Sequence, residues 1–357
     1  MIIFTNKLGL MVKKAFVISL FLAFVLIACG DEKNSVRDGG WTFAPPAGVA
    51  LDTVLMDTMS FRNPYIRYER ENDSYYMVAD GGLMWTSRDL HRWTGPYDVL
   101  EQDTASWIGA SPVITSPEIH KFGEKYYYMA TFERPDVMLP GADGKLFARR
   151  SCVALVADDI RGPYRTIDSE SSLLVESEMA AHPTFGIDYL GASYMIYTHQ
   201  GEQNGDGTVQ IVRFSNDLGR RVGEAYIMFS AADNRWTVEE KDGKKSFSPV
   251  MEAPFLFVTD EKEMGILFTS YLGGKKAIGV AYTQTGEYGY NGPWVVEPEP
   301  LLTGGVGSAS IFTDYDGTKV LVVERDTVID GVAKSVPQLF KLDLQFDKLK
   351  IEGHYKF

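Results

Sequence analysis

Glu252 lies in the stretch MEAPFLF, between Met251 and Ala253-Pro254-Phe255. A carboxyl in so apolar a setting is held protonated by desolvation, which suits it to donate a proton. Asn63 precedes Pro64 in RNPYI, and His182 precedes Pro183 in AAHPTFGID. The Asn63 amide cannot take a proton at neutral pH and can only orient water or a hydroxyl, whereas the His182 imidazole can be neutral or charged. Glu118 and His120 alternate in SPEIHKF, a strand-like pair. Asp80 and Asp188 stand near these segments and could supply the base that Asn63 cannot, although turn Asp is the commoner reading. His91, His199 and His354 form no spaced ligand set, so no metal site is expected.

Those side chains must be positioned by a repeated element. NPYIRYERENDSYYMVA (63–79) recurs in outline as SPEIHKFGEKYYYMATF (116–132), HPTFGIDYLGASYMIYT (182–198), APFLFVTDEKEMGILFTS (253–270) and SASIFTDYDGTKVLVVE (308–324). Each copy is an apolar run, a polar turn and a second apolar run, the pattern of a β-hairpin. A strand, a polar turn and an edge follow most copies, as in WTSRDLHRWTGPY (85–97), LVADDIRGPY (155–164), RFSNDLGRRVG (213–223) and VAYTQTGEYGYNGPW (280–294). Pro64, Pro117, Pro183, Pro254 and Ala309 mark units 53, 66, 71 and 55 residues apart. Four strands per unit and five units predict an all-β chain folded as a five-bladed β-propeller, and a β-sandwich would not explain the fivefold echo. Asp143-Gly144 predicts a hairpin turn within the loop 133–150, with Arg149-Arg150 at its solvated end, and 231–247 reads as a second long loop.

The remaining composition fits that architecture. Aromatic residues make up 13% of 357 positions and Gly numbers 34, a mixture favouring strands and tight turns. Lys13-Lys14, the apolar run AFVISLFLAFVLIA and Leu26-Ile27-Ala28-Cys29 describe an export signal ending in a lipobox-like sequence. The expected organisation is a signal at 1–28, a tether at 29–50 and one propeller domain at 51–357, exported and held at a bacterial membrane by lipid on Cys29. Cys152, in SCVALVAD, is expected as a buried small hydrophobe. Residues 1–28 carry Lys7, Lys13 and Lys14 and no acid, so their removal takes the formal charge from −13 to −16. Such a surface repels nucleic acid and anionic lipid, which excludes those partners, but not neutral glycans.

RNPYI, SPEIHKFGEKYYYMATF, the repeated S-x-D-L and W-x-GPY patterns and EAPFLF resemble glycoside hydrolase family 43, from about residue 60 to 325. The resemblance implies a five-bladed propeller acting on arabinose- or xylose-containing plant oligo- or polysaccharides, without a cofactor. It places Glu252 at the general acid, although the family usually has Gly where Ala253 stands. It places Asn63 at the base position, an Asp in the family, and His182 at the position of the Asp that tunes the acid. Val306 stands where many relatives carry a His near a central water or metal, so no metal is expected there either. Arg62, Tyr65 and Glu118 are then candidate sugar contacts. Trp85, Trp107 and Phe132 are candidate stacking platforms, with core packing as the alternative for each.

Inverting hydrolysis needs a protonated carboxyl at the leaving oxygen and an ionised one across the ring to activate water. Asn63 and His182 depart from that requirement. Three readings follow: a glycosidase with altered chemistry, in which His182 is the base or Asn63 orients a substrate-assisted attack; a glycan-binding lipoprotein without turnover; and a partner-binding propeller.

Overall fold

The computed structural model describes residues 42–101, 106, 108–167, 178–188, 190–241, 244–283, 290, 292–344 and 348–356. Five antiparallel sheets follow one another along the chain. Blade I contains β1 (Asp52–Leu55), β2 (Tyr65–Glu69), β3 (Ser74–Val78), β4 (Leu83–Ser87) and β5 (Arg92–Asp98), with β1 added outside β5. Blade II contains β6 (Val113–Phe122), β7 (Lys125–Pro140), β8 (Leu146–Ala157) and β9 (Arg165–Thr166). Blade III contains β10 (Ala180–Ile187), β11 (Ser193–His199), β12 (Thr208–Phe214) and β13 (Arg221–Ser230). A small hairpin, β14 (Glu239–Lys241) with β15 (Lys244–Ser246), precedes blade IV. Blade IV contains β16 (Glu252–Val258), β17 (Met264–Leu272), β18 (Lys275–Thr283) and β19 (Trp294–Val296). Blade V contains β20 (Val306–Thr313), β21 (Lys319–Ile329), β22 (Val332–Asp343) and β23 (Lys350–His354). The predicted five-bladed propeller is the observed fold.

Each blade is covered on both faces, which is why its strands read as nearly continuous apolar runs. On β3 the alternation sorts side chains between neighbours. Tyr75 and Met77 join a cluster with Val320 and Val322 of blade V. Tyr76 and Val78 face a second cluster that includes Ile119 and Tyr128 of blade II. Cys152, fully buried as expected, packs between blades II and III with Met129 and Tyr197. Within the stretch read as a tether, Phe43 stacks on Tyr97 with ring centroids 4.0 Å apart, and the Asp98 N–H donates to Ala44 O at 2.9 Å.

The segment 133–150 differs from the loop expected. β7 and β8 continue as a paired ribbon to Pro140 and Leu146, turned by residues around the predicted Asp143-Gly144. Its pairing was hidden by Pro135, Pro140 and charged residues, which lower strand propensity without preventing an extended edge.

A bulge repeats at the head of every innermost strand. Between Thr115 and Glu118 the chain advances three residues while its partner advances two, from Thr131 to Met129. The same offset occurs at Ala181/Thr184, Glu252/Phe255 and Gly307/Ser310. In blade I the Asp80 N–H donates to Arg62 O and Tyr65 pairs Val78, which is the same geometry. The extra residue is left-handed in all five blades: Asn63 (φ 51°), Ser116 (50°), His182 (55°), Ala253 (45°) and Ser308 (47°). Non-glycine residues avoid this region, and bulges are found beside active sites, where they re-aim side chains.

Candidate functional site

The five left-handed residues surround the propeller axis. With Tyr65, Glu118 and Ser310 they line an axial cavity of about 30 Å³. That holds a water or two but no sugar, so a glycan must lie over the ring rather than within it.

A bulge leaves one backbone N–H without a ladder partner, and this N–H must be satisfied from elsewhere. Here the neighbouring blade supplies the acceptor. Asp80 Oδ1 accepts the Ser116 N–H at 2.8 Å, and Thr131 Oγ1 accepts the His182 N–H at 2.7 Å. Thr269 Oγ1 accepts the Ser308 N–H at 2.8 Å, and Glu324 Oε2 accepts the Asn63 N–H at 2.7 Å, closing the ring from blade V to blade I. These acceptors and Thr198 occupy one register position on the second strand of each blade. It is Thr in blades II, III and IV, Asp in blade I and Glu in blade V.

Asn63 is therefore set between two acids. Its Nδ2 donates to Asp80 Oδ1 at 2.8 Å, its N–H donates to Glu324, and its Oδ1 accepts from the Ser308 hydroxyl. Burial pushes the Asp80 carboxyl up, against the hydrogen bonds from Ser116 and Asn63. Asp80 Oδ2 has no partner among the described residues. Glu324 is fully buried and paired with Lys276, which also lies 3.6 Å from Asp326.

Glu252 is half-buried, and its carboxyl has no hydrogen-bond partner among the described residues. Desolvation raises its pKa, Lys276 and Arg62 pull it down, and Glu202 and Glu324 push it up. The upward shift by desolvation is the direction its apolar neighbours suggested. Tyr271 is close enough to feel the charges of Glu252, Lys276 and Arg62.

His182 is neutral. Burial, then Arg150 and Arg62, push its pKa down to about 3. Thr198 Oγ1 donates to Ala181 O at 3.0 Å and lies 3.0 Å from His182 Nδ1. The assignment that satisfies every group has Nδ1–H donating to Thr198, leaving the Nε2 lone pair as an acceptor. So basic a role as capturing a proton at neutral pH does not suit this imidazole.

The other candidates divide between the site and the core. Arg62 is exposed, and its guanidinium has no hydrogen bond or ion pair among the described residues. Tyr65 lines the axial cavity, but its hydroxyl donates to Ile119 O at 2.9 Å. Glu118 lines it too; burial raises its pKa, and its Oε2 binds His120 Nε2 at 2.6 Å and the Thr184 hydroxyl at 2.8 Å. Trp85 and Phe132 pack in the core: Trp85 lies 4.2 Å from Phe61 and covers Gly95, and Phe132 is 1% exposed. Asp188 is a turn residue holding the Leu190 and Ala192 N–H groups. Val306 is buried in the core. Trp107 and Cys29 lie outside the described residues.

Asp80, Glu324 and Lys276 are the site groups that sequence reasoning underweighted. The signal was present at the end of each second apolar run, in YYMVAD, YYYMAT, YMIYT, GILFT and VLVVE. Aligned on their last residue, three copies end in Thr and two in an acid.

A search of curated proteins finds no match. Among solved structures, the fold is similar to an endo-arabinase from Bacteroides thetaiotaomicron VPI-5482, at 22% identity and TM-score 0.68 over 88% of this chain and 99% of that one. It is also similar to an endo-1,4-beta-xylanase from the same organism, at 16% identity and TM-score 0.60 over 85% and 97%. A third is a Cellvibrio cellulosa alpha-L-arabinanase complexed with arabinohexaose, at 14% identity and TM-score 0.57 over 82% and 96%. The profile of the family described as "Glycosyl hydrolases family 43" matches residues 58–323, three quarters of the sequence, and the chain belongs to that family.

Proposed function

We propose that the chain is a glycoside hydrolase acting on arabinose- or xylose-containing glycans, with Glu252 as general acid and the base displaced from the Asn63 position to Asp80. The substrate class is supported by family membership and by the arabinan- and xylan-cleaving neighbours. The observation that carries the displaced base is the Asp80–Asn63 contact of 2.8 Å, at a register position that is Thr in three other blades.

In this reading Glu252 gives its proton to the glycosidic oxygen as the anomeric C–O bond breaks. A water attacks the anomeric carbon from the opposite face and passes its proton to Asp80 Oδ2, and Asn63 and His182 Nε2 orient water and sugar hydroxyls. Both carboxyls have raised pKa values. Activity therefore rises as pH climbs through the Asp80 titration and falls through that of Glu252, each limb shifted upward from its group's ordinary value.

The test scores sugar release and glycan binding separately on arabinan and xylan. Asp80→Asn keeps an oxygen to accept the Ser116 and Asn63 hydrogen bonds and removes only the basic group. Release is expected to fall about 10²–10⁴-fold, with KM little changed and the acidic limb of the pH profile lost. Glu252→Gln is expected to abolish release while sparing binding. Undiminished turnover in either variant removes that residue from its role. The neutral Asn63 and His182 favour a second reading, a glycan-binding protein without turnover, for which the wild-type chain binds arabinan but releases nothing.

We also propose that Cys29 carries a lipid that tethers the exported protein to the membrane. Cys29→Ser is expected to move it from the membrane to the soluble fraction.

A further inference from the structure

Beside the axial ring, Ser60, Arg62, Lys276, Asp326, Val328 and Lys334 line a cavity of about 580 Å³, the size of a site for one or two sugar rings. Its walls come from the segment between β1 and β2, from β18, and from the β21–β22 ribbon. Three of these side chains are cations and one is an acid. Asp326 is already committed, since its Oδ1 accepts the Ser335 hydroxyl at 2.9 Å and lies 3.6 Å from Lys276. Lys276 is in turn paired with the buried Glu324. The Arg62 and Lys334 side chains have no ion pair or hydrogen bond among the described residues.

Two uncommitted cations facing one cavity are unusual in a chain of formal charge −13 with 48 acids against 35 bases. The abundant acids elsewhere could neutralise them and do not. Neutral pentose rings offer a guanidinium and an ammonium nothing that a hydroxyl or amide would not bind as well, whereas carboxylates and sulfates are their natural partners. Arg62 of this cavity directly precedes Asn63 of the axial ring, so whatever the cavity holds lies beside the ring over which the sugar must sit.

We infer that this cavity binds an anionic substituent, a carboxylate or a sulfate ester, carried by the glycan next to the residue at Glu252. The inference rests on the glycan-active reading above and narrows its substrate to acidic glycans.

Binding of the purified full chain is compared for glucuronic-acid-substituted xylan, the same xylan with its carboxyls reduced, a sulfated galactan and neutral arabinan. An acidic glycan is expected to bind at least about tenfold more tightly than the carboxyl-reduced xylan, as for a charge-assisted hydrogen bond, with the advantage shrinking at high salt. A preference for the uronic xylan assigns a carboxylate, and one for the sulfated galactan assigns a sulfate. Lys334→Gln and Arg62→Gln, checked for unchanged thermal unfolding, are expected to bring the acidic glycan to the level of the reduced one. Equal binding of acidic and neutral forms, or a preference that survives both substitutions, overturns the inference. Release from arabinan with no acidic preference leaves the hydrolase reading standing and removes this one; acidic preference without any release does the reverse.

Discussion

Blades II to IV and the seam between blades V and I solve one problem with different residues. In both regions the bulge at the head of an innermost strand frees a backbone N–H. Thr131 and Thr269 accept two of these with a neutral hydroxyl. On either side of the seam, Asp80 of blade I accepts the Ser116 N–H of blade II and Glu324 of blade V accepts the Asn63 N–H with carboxylates, and Asn63 lies between them. A hydroxyl is sufficient for the backbone, so the charge at the seam exceeds what the fold requires. On the proposed mechanism, the excess marks where chemistry, rather than closure, selects the residue.

The comparison is broken most severely by Lys276→Met, which leaves Glu324 buried without its cation. A loss of about 3–5 kcal/mol in urea unfolding is expected, as for other uncompensated buried charges; a loss below about 1 kcal/mol means that Glu324 is held by the Asn63 N–H alone. Thr131→Val, at a neutral site, orphans the His182 N–H and is expected to cost about 1–3 kcal/mol. Asp80→Asn, which keeps its hydrogen bonds, is expected to cost less than Thr131→Val in stability while costing far more in turnover. The reverse order would make Asp80 structural.

A smaller effect concerns pH. His182 has a pKa of about 3 in the folded chain, below its ordinary 6.5. The unfolded chain therefore takes up the proton first, and stability falls as pH drops from about 6.5 towards 3, by at most about 1.4 kcal/mol per unit. His182→Asn is expected to flatten that part of the stability profile; an unchanged slope assigns it to other groups. The smallest change is Ala253→Gly. Ala253 is left-handed at φ 45°, and relieving its Cβ is expected to add about 1 kcal/mol, read as a rise of roughly 2 °C in Tm.

The blade count was legible because each inner strand begins at the same mark, Pro64, Pro117, Pro183, Pro254 or Ala309. The left-handed residue before it was legible only in part. Asn and His enter that region more readily than most side chains, so Asn63 and His182 hold the left-handed backbone while presenting an amide and a neutral imidazole. The partners of Asn63 were not legible by proximity. Asp80 is 17 residues away and Glu324 is 261, and only the register of two strands brings them together. Trp85 and Phe132 were ambiguous for a different reason: a propeller buries aromatics between blades as readily as it offers them to a sugar, and composition does not distinguish the two.

Each blade is built from its own consecutive strands, and among the described residues the last is joined to the first by side chains and one backbone bond. Glu324 reaches Asn63, the Phe61 N–H reaches Ser335 O, and Tyr75 and Tyr355 both donate to Asp314. During translation, Asn63 therefore leaves the ribosome 261 residues before its acceptor exists, an interval of roughly 15–50 seconds at ordinary synthesis rates. Four blades can be assembled in that time, but the pocket at the seam cannot. The competence of this protein is decided only once blade V is made, and a chain stopped before Glu324 carries every proposed catalytic residue and no finished site.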